Sequence, residues 1–210
     1  MARLDAATGR PRAWQRMLSG RRLDLLDPSP ADIEIEDIAH GLARVSRWNG
    51  QTVGAHALSV AQHALIVEAI ARRLDAGWVA QWQLATLLHD AAEYVIGDLI
   101  SPFKAAIGLD YKAFEMRLLG AIHVRFGLPA ALPDDVMAHI KAADSVAAFY
   151  EATRLAGFAI DEAHRFFGEP PQLPRALQND LETLTASPVD KVQAAFLARF
   201  RQLSRRSDLK

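Results

Sequence analysis

The chain contains no cysteine, which excludes disulfides, thiolate metal sites and cysteine nucleophiles. It also has little net charge, with 24 Lys+Arg against 25 Asp+Glu. It therefore exerts no overall attraction on nucleic acid or anionic lipid, and an anionic ligand must be held by a local cluster. No uninterrupted apolar stretch approaches the ~20 residues of a membrane helix. The opening MARLDAATGRPRAW lacks the apolar run of a secretion signal, so the cytoplasm is the expected compartment. Strand-length alternation of apolar and polar residues is missing, as are internal repeats and low-complexity tracts.

What is there is 210 residues, 50% of them apolar and 23% charged, enough to bury a core as one domain. Residues 1–31 mix Arg, Gly, Pro and Asp around Trp14, Met17, Leu23, Leu25 and Leu26 and end in the breaker Asp27-Pro28-Ser29-Pro30. They read as an arm packed on a domain that spans 32–210. Within that domain, apolar residues recur at helical spacing. Ile38, Leu42, Val45 and Trp48 predict a helix from Ile33 to Trp48 that stops at Asn49-Gly50. Val60, His63, Val67, Ile70 and Leu74 predict one over His56 to Leu74, and Trp82, Ala85, Leu88 and Ala92 one over Trp78 to Val95. Further helices are expected over Tyr111 to Phe126, Asp134 to Ala156, Asp161 to Phe167, Pro174 to Thr185 and Pro188 to Leu203. The expected fold is all-α, a single-domain helical bundle.

Three of these helical rows carry ionisable groups on or beside an apolar face: His63, the pair His89-Asp90, and Asp144. A carboxylate buried without a partner costs several kcal/mol, and one metal ion would satisfy all four groups together. Two imidazoles and two carboxylates suit a borderline divalent ion with open positions rather than a closed structural zinc. Glu93 lies three residues after Asp90 and four after His89, towards whatever the pair binds, and Asp98 follows just past Gly97. Carboxylates outside a ligand set are what general acid-base work requires.

In this order the motifs resemble the HD-superfamily phosphohydrolases, and within them the bacterial 5′-deoxynucleotidase (YfbR) group. The segments are SVAQHALIV (59–67), LLHDAAEYVIGDLISPFK (87–104), KAADSVAAFYEA (141–152) and the pair Arg47-Trp48. The match covers about 38–155, and its HD-x-x-E-x-x-x-x-D-x-x-x-P-x-K pattern is specific in combination. The resemblance implies an HD-type helical bundle that binds one divalent ion (Co, Mn, Zn, Fe, Ni or Mg) through His63, His89, Asp90 and Asp144. It implies Glu93 and Asp98 as acid-base or water-orienting groups and Arg47, beside Trp48, on the phosphate. Lys104 is a second phosphate contact or an exposed charge. His56, seven residues before His63, lines the substrate pocket or replaces His63 as ligand. His40 is a pocket-edge residue or a partner behind a ligand, while His123, His139 and His164 read as structural or solvated.

The implied reaction is metal-dependent release of phosphate from a (deoxy)nucleoside 5′-monophosphate, a small-molecule substrate, with no nucleic acid or membrane partner. Gln62, before His63, departs from the acidic residue usual in the nucleotidases and leaves the base and sugar preference open. The alternatives are another HD reaction, on a nucleoside triphosphate, a cyclic nucleotide or an alarmone, or a non-catalytic module that binds nucleotide. The apolar rows of the terminal helices suit a homodimer, as the resemblance suggests, or completion of the monomer core.

Overall fold

The computed structural model describes residues 13–99 and 109–207. Among them are nine α-helices and one two-stranded ribbon. The ribbon pairs β1 (Trp14–Arg16) antiparallel with β2 (Arg22–Asp24). Its strands have three residues each, too few for alternation to show in the sequence, and it is the one departure from an all-α fold among the described residues. Leu23 inserts into the core with no exposure, and the Ser19 backbone and hydroxyl both donate to the Asp37 carboxylate. Ser29 then caps a 3-10 turn with Pro30 in its first position, where the missing N–H costs nothing.

The helices are α1 (Ile35–Leu42), α2 (Val60–Leu74), α3 (Ala80–Leu87), α4 (Glu93–Ile96), α5 (Leu109–Arg125), α6 (Asp134–Arg154), α7 (Ile160–Phe167), α8 (Arg175–Glu182) and α9 (Val189–Ser207). Helix α2 is central and packs on α3, α6 and α9. Its buried row is Val60, Ala61, His63, Ala64, Val67, Glu68, Ile70 and Ala71. Two of those positions are ionisable and each is neutralised from another element. Glu68 takes a forked pair of hydrogen bonds from Arg199 of α9, which also reaches Gln83 of α3. His63 belongs to the site described below. No helix of the described residues is long and apolar enough to cross a membrane.

Three predicted helices end or begin elsewhere. Helix α1 stops at Leu42, and Arg47-Trp48 occupy a 3-10 turn over Arg47–Gly50 instead of continuing it. Tertiary pairing overrides the helical spacing there: Arg47 N–H donates to Leu58 and Val60 N–H to Val45, so 45–47 run against 58–60. Helix α2 starts at Val60, capped by Ser59 whose hydroxyl accepts from the Gln62 N–H; His56 therefore lies outside the helix and off the His63 face. The helix predicted over Trp78 to Val95 breaks into α3 and α4 around turns at 88–92. In an unbroken helix the Thr86 carbonyl would accept from the Asp90 N–H. Here it takes the His89 N–H and the His89 ring instead.

Gly41 fixes how α1 meets α4. A Cβ at this position would lie 2.8 Å from both the Tyr94 carbonyl oxygen and the Tyr94 Cβ, a distance no side chain tolerates. The absent side chain lets the two helices touch and holds the 88–93 segment against the core.

Candidate metal centre

Helices α2 and α6 and the 88–92 turns bring four of the predicted groups together. His63 Nε2 lies 3.3 Å from Asp144 Oδ1 and 3.5 Å from Asp90 Oδ2, and His89 Nε2 lies 3.2 Å from Asp90 Oδ2. The two rings stand 5.3 Å apart, and atoms of His63, His89 and Asp90 all fall within 4.8 Å of one another. Both Nε2 atoms are buried without a hydrogen-bond partner among the described residues. Their Nδ1 atoms are spoken for. His89 Nδ1–H donates to the Thr86 carbonyl at 2.9 Å and His63 Nδ1–H to Glu151 Oε1 at 2.6 Å, which leaves each Nε2 lone pair facing a carboxylate. Donated Nδ1 hydrogens of this kind orient metal-binding imidazoles.

Glu151 is the residue that sequence reasoning missed. It has no exposure, and besides His63 it accepts from Arg47 Nε and from Trp48 Nε1, each at 3.0 Å. One carboxylate thus joins the imidazole of α2 to the Arg47-Trp48 turn. Trp48 and Asn49 have φ of 56° and 51°, a conformation that costs a bulky residue about 1–3 kcal/mol and clusters at functional sites. Arg47 Nη1 lies 3.8 Å from Asp90 and 3.9 Å from Asp98. A signal for Glu151 existed in the sequence: it follows Asp144 by seven residues, two turns along the same face of α6.

Asp90, Glu93, Asp98 and Asp144 line one cavity with Arg47 and Lys141, and Arg47 also pairs with the buried Glu151. Burial and Arg47 act to lower the pKa of His63, but the Glu151 and Asp144 carboxylates prevail and raise it to about 9. Burial pushes the Asp90 carboxyl up, yet His89 and His63 hold it well below the usual range. Asp144 is held down by His63 in the same way. Two buried imidazole nitrogens without a hydrogen-bond partner among the described residues and two ionised carboxylates fit one divalent ion.

Asp90 and Asp144 form part of the wall of a cavity of about 740 Å³, whose polar lining also includes Arg47, Glu93, Asp98 and Lys141. Glu93 is 2% exposed. Lys141, whose Nζ donates to Asp144 Oδ2 at 2.8 Å, is a cavity-lining cation that the sequence motifs left unassigned. His56 is exposed and takes no part in the cavity wall, while Lys104 lies outside the described residues. His40 lines a separate cavity beside Asp37 and Tyr94. His123 and His139 bond carbonyls of Ala130 and Ala71, and His164 stacks on Phe149, all away from the site.

No family model matches the chain. Among solved structures it is similar to the cyanophage S-2L HD phosphohydrolase DatZ, bound to dA and one catalytic Zn2+ ion. The identity is 19% and the TM-score 0.49, over 82% of this chain and 97% of that one. That likeness is too distant to transfer ligands or residue roles. A closer relative is an "uncharacterized protein" of Rhodobacter capsulatus, 57% identical over 195 residues that make up 92% of this chain and 97% of the relative. The chain belongs to the same family as that Rhodobacter capsulatus protein.

Proposed function

We propose that the chain is an HD-type, metal-dependent phosphohydrolase that releases phosphate from (deoxy)nucleoside 5′-monophosphates. One observation carries the reading. The buried Nε2 atoms of His63 and His89 have no hydrogen-bond partner among the described residues and face the Asp90 and Asp144 carboxylates at 3.2–3.5 Å, beside a cavity that also holds an arginine and two further carboxylates. His63, His89, Asp90 and Asp144 would hold the ion. When bound, it supplies Lewis-acid activation of water and of the phosphoryl group.

The remaining steps fall to the chain's own residues. Glu93 and Asp98 line the cavity and supply the carboxylates that take the proton of the attacking water and return one to the leaving oxygen. The water oxygen bonds to phosphorus, the bond from phosphorus to the 5′ oxygen breaks, and nucleoside and phosphate leave. Arg47, its Nε anchored on Glu151, directs its terminal nitrogens to the phosphoryl oxygens, where a guanidinium fork matches their geometry. Trp48 flanks the substrate.

The test is phosphate release by metal-stripped protein from a panel of nucleotides, with Co, Mn, Mg and Zn restored one at a time. Metal-dependent phosphate release from monophosphates is expected. Release of tripolyphosphate from a nucleoside triphosphate at higher kcat/KM than phosphate from any monophosphate would overturn the nucleotidase reading and favour the triphosphohydrolase alternative.

A further inference from the structure

The polar side of the cavity accounts for hydrolysis; its other side is aromatic. Trp48, Phe158, Phe166 and Phe167 line it together with Ala148. Ring centroids lie 5.6 Å apart for Trp48–Phe158, 6.0 Å for Trp48–Phe167, 6.2 Å for Phe158–Phe166 and 6.3 Å for Phe166–Phe167. The rings come from three places in the chain, the strained Arg47–Gly50 turn, the link after α6 and the last turn of α7. Phe166 is 68% exposed although the rings of Phe158 and Phe167 stand beside it. An aromatic face kept in water at the wall of a cavity is area that a flat apolar group can cover.

Among the described residues, three polar groups of the cavity lining already have partners. Ser145 Oγ donates to the Lys141 carbonyl, Lys141 pairs with Asp144, and the Trp48 indole N–H is committed to Glu151. The aromatic residues and Ala148 add no hydrogen-bonding side-chain group of their own beyond that indole. Such a wall can grip the plane of a ring and has little with which to read its edge.

We propose that Trp48, Phe158, Phe166 and Phe167 form a subsite for the nucleobase of the substrate, with Phe166 its exposed stacking face, and that it selects for the presence of a base and not for its identity. This rests on the phosphohydrolase reading. Stacking on an aromatic side chain is tolerant of sequence because every base has a π-face.

The experiment compares kcat/KM for the four common deoxynucleoside 5′-monophosphates with that for 2-deoxyribose 5-phosphate, in wild type, Phe166→Ala and Phe166→Tyr. Calorimetric binding of the phosphate-free nucleosides to the metal-stripped proteins is measured alongside. In wild type the four nucleotides should agree within about tenfold and exceed the sugar phosphate. The ratio of nucleotide to sugar phosphate should fall about tenfold in Phe166→Ala and be retained in Phe166→Tyr, and nucleoside affinity should follow the same pattern. An unchanged ratio in Phe166→Ala overturns the subsite and leaves the phosphohydrolase reading standing; if the mass in solution changes at the same time, Phe166 serves a contact between copies instead. A spread above about a hundredfold among the bases overturns the base-tolerant part, since it requires edge recognition. Absence of phosphate release from every monophosphate overturns the phosphohydrolase reading, while nucleoside binding lost in Phe166→Ala would still support the subsite.

Discussion

Glu151 accepts three hydrogen bonds within the core, from His63, Arg47 and Trp48. Replacing it by Gln removes the charge that Arg47 and His63 oppose and turns an NH2 towards donors. Breaking a buried pair in this way costs about 3–5 kcal/mol. Glu151→Gln should therefore lower Tm in a thermal melt and weaken metal affinity by about 10–100-fold, the usual loss for a group that orients a liganding imidazole. Equal metal affinity in the variant, measured by competition with a chelating dye, would leave Glu151 a purely structural residue. Glu93 predicts the opposite split. As a proton acceptor outside the ligand set, it should retain full metal content by elemental analysis as Glu93→Ala while turnover falls by about 10²–10⁴.

At the scale of elements, two contacts outside the site decide how well it is held. Gly41 permits α1 to rest on the backbone of α4, and α4 carries Glu93 at its start. Gly41→Ala gains helix propensity but drives a methyl into Tyr94. Overpacking of this kind costs about 1–3 kcal/mol, so denaturant titration should show net destabilisation; a more stable variant would mean that α1 and α4 can separate freely. His123 on α5 is 2% exposed, and burial lowers its pKa below 6.5 although the Ala130 carbonyl accepts from its ring. Folding thus favours its neutral form relative to the unfolded chain. Its contribution to stability is therefore present above pH 6.5 and lost as pH falls below it. His123→Leu should flatten the loss of stability between pH 7 and pH 5 in paired denaturant melts; an identical pH profile would show that the His123 pKa does not change on folding.

For the molecule as a whole, the proposed ion would stabilise the fold as well as serve the reaction. Five carboxylates cluster around Arg47 and Lys141, on elements that meet through α2 and α6. An ion bound by the folded chain and not by the unfolded one stabilises in proportion to the logarithm of its concentration over Kd, about 2.7 kcal/mol at a hundredfold excess. Chelation should lower Tm, and restored metal should raise it in a concentration-dependent way; a Tm indifferent to both would remove the basis for a metal centre.

The helical character of the fold is legible from the chain alone, because apolar spacing of three and four is a local property of each segment. The sequence also singled out His63, His89, Asp90 and Asp144, since an ionisable residue beside an apolar row stands out wherever the row folds. The boundaries were decided by tertiary structure. The spacing through Val45 and Trp48 is helical, yet long-range pairing of 45–47 with 58–60 ends the helix early and puts Trp48 and Asn49 in the left-handed region. The ring of His89 captured the carbonyl on which the third helix would have continued. The same long-range packing brought Glu151 under His63, lifted His56 off the helix and gathered Trp48, Phe158, Phe166 and Phe167 at one wall. None of these pairings is local: Glu151 lies 88 residues from His63 and 104 from Arg47, and only packing of α6 against α2 makes them neighbours.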